Sequence, residues 1–579
     1  MRWKRIVGWT AAGIALLIGV VVVGGYFYLK SGSFQRLAIR KIADQAYRAT
    51  GARTEIGGMK LDLWTLTVHL YDITVHGTEP PMEPPLLHAD RLTVRLKILS
   101  ILHHQVALRE LLLVAPLAHI EVSRNGKSNV PTPPSHASTG HTDIFDLGIE
   151  HAQLINGEVF YNDRKITVAA DLYDLGVEIN AEGAAKHYAG SVSYKNGHLQ
   201  YADYSPLPHD LDLKFTATPE QTKIHPAVLK VGSSSLIVQA RISNYSNPIA
   251  DGEYRILLHT QDFRDFTSTL SPAGDVSLDG TLHYQRIGNE PFLRDLSVDG
   301  QLGSGALAAM ASGKRLELTR LQGKYRLADG NLQLQKVALD SMGGRIAADA
   351  VIKHLDATPD SSVRASLSGI SLRDLQRALG QQVTEVSLAG TVGGTAEATW
   401  TGNLADLQAN SDLSVKAVAG SAGATSSRDV PVTGALHFSY DGPRQRITVR
   451  DTTLKMPAAT LTAQGAISRN SRLQIAIAAN DLHQLALLAS SFRQTHQTIP
   501  AISGTATATA VVQGAISNPT VSAQVDAEHL AIEGSQWKSA KVSLQASSSK
   551  IAIENATLIN AQQGQATLDG SVGLKHWSY

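Results

Sequence analysis

The sequence predicts a mainly β protein: an elongated, repetitive sheet behind one N-terminal transmembrane helix, with short helices interspersed. Three observations carry this reading. Ile6 to Leu29 is a run of 24 residues without a charge. Most of the chain beyond it alternates apolar and polar residues with a period of two, as a strand with one wet face does. A pair of short sequence markers also returns about every 110 residues.

The apolar run comes first in the chain. Its 24 residues exceed what a hydrocarbon core of roughly 30 Å needs at about 1.5 Å per helical residue. Ile6, Ile14, Leu16, Leu17, Ile18, Val20, Val21, Val22 and Leu29 supply its apolar surface, with Trp3 and Trp9 at one end and Tyr26, Phe27 and Tyr28 at the other, as interfacial aromatic belts do. Arg2, Lys4 and Arg5 would also suit a cleaved signal peptide. The run is too long for that, however, and it ends in bulky residues where cleavage needs small ones. Flanking charges favour neither orientation strongly. A single span with 550 strand-rich residues on one side favours the short N-terminus inside.

Ser33 is placed to cap a helix running to about Thr50, with Phe34, Leu37, Ala38, Ile42 and Ala46 on one face and Gly51 as its stop. It is basic as well as amphipathic. Two readings stand equally: a helix on anionic headgroups, or a cap on the first strand. The period then becomes two, as at Leu61, Leu63, Leu66, Val68 and Leu70, at Leu211, Leu213 and Phe215, at Leu436, Phe438 and Tyr440, and at Leu473, Ile475 and Ile477.

The repeat gives the domain organisation. Val276-Ser277-Leu278-Asp279-Gly280-Thr281 returns as Val386-Ser387-Leu388-Ala389-Gly390-Thr391, 110 residues on, and as Ala501-Ile502-Ser503-Gly504-Thr505, 114 later. A helix-like phrase precedes each copy: Asp262-Phe263-Arg264-Asp265-Phe266, Leu372-Arg373-Asp374-Leu375, and Asp481-Leu482-His483-Gln484-Leu485. Ile447–Leu454 and Ile551–Leu558 are similar hairpin stretches. The expected organisation is an anchor over 1–30, a helix and first β block over 31–130, a Pro/Ser-rich linker over 131–141, a β block over 142–261, repeats over 262–371 and 372–481, and an incomplete one over 482–579. Strand repeats of this kind bury their apolar face only by stacking on neighbours. About 20 rungs at about 4.8 Å give a length on the order of 100 Å.

Composition narrows the function. Aromatics are 6% and charged residues 18% of the chain, which describes many short strands rather than dense cores. Lysine plus arginine is 52 against 51 acids, so no global field gathers nucleic acid. The absence of cysteine excludes disulfides, thiolate metal sites and lipid-modified cysteines, and suits an oxidising compartment such as a bacterial periplasm. No His-Glu-x-x-His or G-x-S-x-G string occurs, and the near-match to a phosphate loop at Gly303 to Lys314 fails at Ala308 and Arg315. His103-His104 stands without patterned carboxylates and reads as a solvated strand end rather than a metal site. No catalytic, metal or cofactor residue is expected, so the chain reads as a non-enzyme.

The order of features resembles the AsmA/TamB superfamily of bacterial envelope proteins. After the span and Ala49-Thr50-Gly51 come Leu70-Tyr71-Asp72-Ile73-Thr74-Val75 and Leu87-His88-Ala89-Asp90-Arg91-Leu92-Thr93-Val94. Leu108-Arg109-Glu110-Leu111-Leu112-Leu113-Val114-Ala115-Pro116 leads through Ile120-Glu121-Val122 to Gly126-Lys127-Ser128-Asn129. Leu154-Ile155-Asn156-Gly157-Glu158-Val159 and Gly514-Ala515-Ile516-Ser517-Asn518-Pro519-Thr520-Val521 fit its degenerate strand-turn pattern. The resemblance implies a groove-shaped sheet, taco-like in section, on an inner-membrane anchor, with a periplasmic body that moves phospholipid between membranes and supports outer-membrane biogenesis. Assembly of outer-membrane β-barrel proteins is the alternative, and a scaffold without cargo a third reading.

Val276, Leu278, Leu282, Val386, Leu388, Ala506, Ala508 and Ala510 are the candidate apolar lining. Their modest size would leave a smooth trough for acyl chains, which lose nothing by leaving lipid for another apolar surface. The residues alone favour opposed faces meeting as a sandwich core. The resemblance reverses that preference and names membrane lipid as the partner.

Overall fold

The computed structural model describes residues 23–574 apart from 81, 98–107, 133–144, 146–147, 183–185, 203, 268–270, 289, 312–313, 379–385, 422–429, 492–500 and 516–517. Strands take up 69% of the molecule and helices 11%, so the fold is mainly β. The span expected over Ile6–Leu29 lies outside the described residues as far as 22, and 23–29 are helical. Among the described residues no helix is long and apolar enough to cross a membrane.

Two compact units divide the chain, one of Met1–Phe266 with Thr281–Arg286 and the other of Thr267–Gly280 with Ile287–Tyr579. The first begins with a helix at Gly32–Thr50, two residues longer at its start than expected because Ser31 is the cap: its Oγ accepts from Phe34 N at 3.3 Å. Gly51 ends the helix in the left-handed region at φ 76°, its N–H donating to Tyr47 O. The face that packs is rotated from the expected one. Phe34, Ala38 and Ile39 pack on Met59, Leu70 and Ile73, whereas Leu37 and Ile42 point outward, 51% and 36% exposed.

Strands β1 (Arg53–Asp62), β2 (Thr67–His76), β3 (Leu87–Leu96) and β4 (Leu108–Val122) pair antiparallel in sequence order. Leu63 and Leu66, expected on strands, fall in the β1–β2 turn, with Leu66 at φ 50°. β5 (His151–Asp163) joins β4 in parallel, after which β6 (Val168–Ala181), β7 (Tyr188–Tyr201), β8 (Leu207–Ala217), β9 (Gln221–Val231), β10 (Ser234–Ser243) and β11 (Ile249–His259) meander antiparallel. Asn129, from the Gly126-Lys127-Ser128-Asn129 motif, is buried against β4. Its N–H donates to Glu121 O at 3.0 Å, its Oδ1 accepts from Glu121 N at 3.0 Å, its Nδ2 donates to His119 O at 2.8 Å, and its carbonyl accepts from Thr78 N at 2.8 Å. One side chain thus stands in for a length of neighbouring strand.

β12 (Ala273–Gln285) is shared between the units. The second unit continues with β13 (Leu296–Ala311), β14 (Lys314–Ala328), β15 (Asn331–Ser341), β16 (Gly344–Lys353), β17 (Asp360–Ser371), β18 (Val386–Thr401), β19 (Gln408–Ser421) and β20 (Val430–Asp441). β21 (Arg446–Met456), β22 (Ala459–Ile467), β23 (Ser471–Ala479), β24 (Ile502–Gly514), β25 (Thr520–Ile532), β26 (Ser535–Ser547), β27 (Lys550–Ile559) and β28 (Gln565–Gly573) complete it. From β13 on, every strand pairs antiparallel with the next. Strands of 9 to 16 residues with short turns take less chain than expected, hence 28 strands against the roughly 20 rungs estimated from strand spacing.

Short helical segments follow β11, β17 and β23, at Thr260–Thr267, Leu372–Ala378 and Leu482–Ser491, so six strands lie between successive ones. The Val-Ser-Leu-x-Gly-Thr marker is the start of the strand after the helix. In two of the three copies the glycine is required: Gly390 has φ 153°, and a Cβ there would stand 2.3 Å from Lys416 O on the next strand. Gly504 has φ 124° with His529 O 2.7 Å from such a Cβ.

Candidate functional site

Period-two patterning puts one residue of each pair on the wet face and the other on the apolar face. Cross-strand register then joins the apolar positions into rows. In the first unit Met59, Leu70, Leu92, Leu113, Leu154, Val177, Val192 and Leu213 are successive partners from β1 to β8. At about 4.8 Å per strand such a row is roughly 34 Å long. In the second unit Leu454, Leu461, Ile477, Ala508, Val525 and Val542 form a row from β21 to β26. Ala506 and Ala510 stand two residues to either side, in the neighbouring rows Ala479–Ala506–Ala527 and Ile475–Ala510–Ala523.

These rows are neither a closed core nor open surface. Every residue of the second-unit row is half-buried, as are all those of the first from Leu92 on, and Thr67 is the largest fully buried side chain among the described residues. In a packed sandwich the same positions would be closed off by a facing sheet. Val276, Leu278 and Leu282 share one face of β12 and are half-buried, while their neighbours Ser277, Thr281 and His283 are exposed. Ala506, Ala508 and Ala510 alternate in the same way with exposed Thr505, Thr507 and Thr509. For Val386 and Leu388 only the backbone is described, paired with Ser421 and Ala419.

The rows survive because of bulges that sequence reading missed. In β15, β21 and β27 a residue in the left-handed region interrupts the alternation: Lys336 at φ 53°, Asp451 at φ 38° and Asn555 at φ 56°. Two successive residues then face water, Gln335–Lys336, Arg450–Asp451 and Glu554–Asn555, and the chain returns to the apolar side at Val337, Thr452 and Ala556. β9 makes the same step through Pro226 before buried Ala227. Without the extra residue each strand would turn its remaining apolar side chains to solvent. A carboxylate on the following strand often accepts the bulge N–H: Asp349 from Lys336 N at 2.8 Å, Asp569 from Asn555 N at 2.6 Å, and Asp210 from Asn196 N at 2.9 Å.

The wet face carries mixed charge. Cross-strand partners include the ion pair Arg364–Glu397 at 2.6 Å and the hydrogen-bonded pairs His283–Asp251 and His437–Asp412, both at 2.7 Å. Asp340 lies between Arg320 and Arg345. Burial pushes its carboxyl up, but the hydrogen bonds and charges of the two arginines outweigh this and hold it below the ordinary carboxylate value. Such pairs describe a solvated surface rather than converging catalytic groups. Among the described residues no group of three or more His, Asp or Glu side chains could hold a metal ion. His103 and His104 lie outside the described residues, and Gly303–Ala311 is strand, not a loop opening a helix.

No protein-family model matches the chain, and no curated protein sequence matches it.

Proposed function

We propose that this chain is a non-enzymatic lipid carrier, held in a bacterial inner membrane by Ile6–Leu29, whose apolar face forms a periplasmic groove for phospholipid acyl chains moving toward the outer membrane. The observation that supports it is the unbroken apolar row left half-open to solvent across the six strands from Leu92 on β3 to Leu213 on β8. Such a surface costs free energy when wet, roughly 25 cal/mol for each Å² left exposed. An acyl chain lying on it relieves that cost without needing a specific contact, while headgroups remain in water beside the polar rim. Small residues such as Ala506, Ala508 and Ala510 keep the surface low. This reading expects no metal or cofactor.

The test places a charge on the apolar face. Leu461→Asp should abolish lipid co-purification and transfer between donor and acceptor vesicles by the full-length protein, with Thr462→Asp on the wet face as its control. Unchanged transfer by Leu461→Asp would overturn the proposal. Capture of nascent barrel proteins, with no lipid bound, would favour the assembly role instead.

A further inference from the structure

The helix Gly32–Thr50 presents a second surface, separate from the groove. Its inward side packs through Phe34, Ala38 and Ile39 on the first strands. Its outward side carries Arg36, Arg40, Lys41 and Arg48, all exposed, against the single carboxylate Asp44. No ion pair joins these four cations to a carboxylate among the described residues. Leu37 and Tyr47 stand beside them, 51% and 52% exposed. Cations flanking exposed apolar side chains on one helical face are what an interfacial helix needs.

Two further observations identify the partner. Only Lys30 and Ser31 separate this helix from the apolar helical segment 23–29, where Phe27 and Tyr28 are 67% and 56% exposed. β1 runs back along the helix: about 28 Å of helix is matched by about 33 Å of strand, which returns the β1–β2 turn to the level of the helix start. That turn displays Trp64, 88% exposed, the side chain most at home at a membrane interface.

We propose that the outward face of Gly32–Thr50 rests on an anionic bilayer surface, with Trp64 in the interface beside it. Each successive strand of the first unit then lies about 4.8 Å further along the sheet from the strand beneath the helix. Anionic headgroups attract juxtamembrane cations, and salt screens that attraction within about 10 Å.

A chain without cysteine allows clean labelling of the full-length protein. Nitroxides at Leu37→Cys and Tyr47→Cys, with Ser571→Cys on β28 as an aqueous control, are read in phosphatidylcholine vesicles with and without phosphatidylglycerol. The expected result is a severalfold loss of collision with a water-soluble nickel chelate at 37 and 47 in the anionic vesicles only. High salt should reverse it, as should the Arg36→Gln, Arg40→Gln, Lys41→Gln, Arg48→Gln variant, with the label at 571 unmoved. Equal exposure in both vesicles overturns the proposal, as does shielding that ignores lipid charge and salt, which marks a protein contact, or failure to bind anionic vesicles at all. Retention after a salt wash reports separately on Ile6–Leu29.

Discussion

Single side chains in this protein substitute for missing backbone. Asn129 does so most completely, since its amide pairs with Glu121 and His119 as a neighbouring strand would. Asn129→Ala leaves the Glu121 N–H and the His119 carbonyl short of partners, so it should cost about 1–3 kcal/mol, read as a lower urea midpoint with an unchanged slope. Asp340 makes a different prediction. Its folded pKa is depressed, so its stabilisation is complete above the unfolded carboxylate pKa and is lost as pH falls through the lower folded value. The melting-temperature gap between wild type and Asp340→Asn should therefore be widest near neutral pH and close on acidification below about 4. A gap that widens in acid would contradict this assignment. Neither residue could be singled out from the sequence, because their partners lie 5 to 20 residues away and only strand register brings them together.

At the scale of elements, much was legible. Val-Ser-Leu-x-Gly-Thr marks a strand start because Gly390 and Gly504 must let a neighbouring strand approach, and Leu372 and Leu482 begin the helices that precede those strands. The likeness of Ile447–Leu454 to Ile551–Leu558 is explained by Asp451 and Asn555, which occupy the same bulge. The bulge itself was hidden, since lysine, aspartate and asparagine all serve there, and β9 makes its step at a proline, which cannot take the left-handed conformation. Rotation of the first helix was hidden too: Leu37 and Ile39 fit an apolar stripe equally well, and only the sheet decides between them. Asp349→Ala removes the acceptor from the Lys336 bulge. It should destabilise by about 1 kcal/mol and speed hydrogen exchange at Lys336 and its neighbours ahead of global unfolding. Exchange there no faster than in wild type would mean the carboxylate is not what holds the bulge.

Within each unit, nearest-neighbour pairing in sequence order means that each strand is stabilised chiefly by the two beside it. The apolar face is then a continuous property of many strands rather than a site assembled by a few residues. That is why composition and period foretold an apolar face, whereas its partial exposure needed the register and burial of the strands. The most direct test of the account is a photocrosslinking scan along one strand of the full-length protein in lipid. A photoreactive residue placed in turn at Leu461, Thr462, Ala463 and Gln464 on β22 should capture phospholipid at 461 and 463 and not at 462 and 464. Equal capture at all four positions, or none at any, would contradict an apolar face that carries acyl chains.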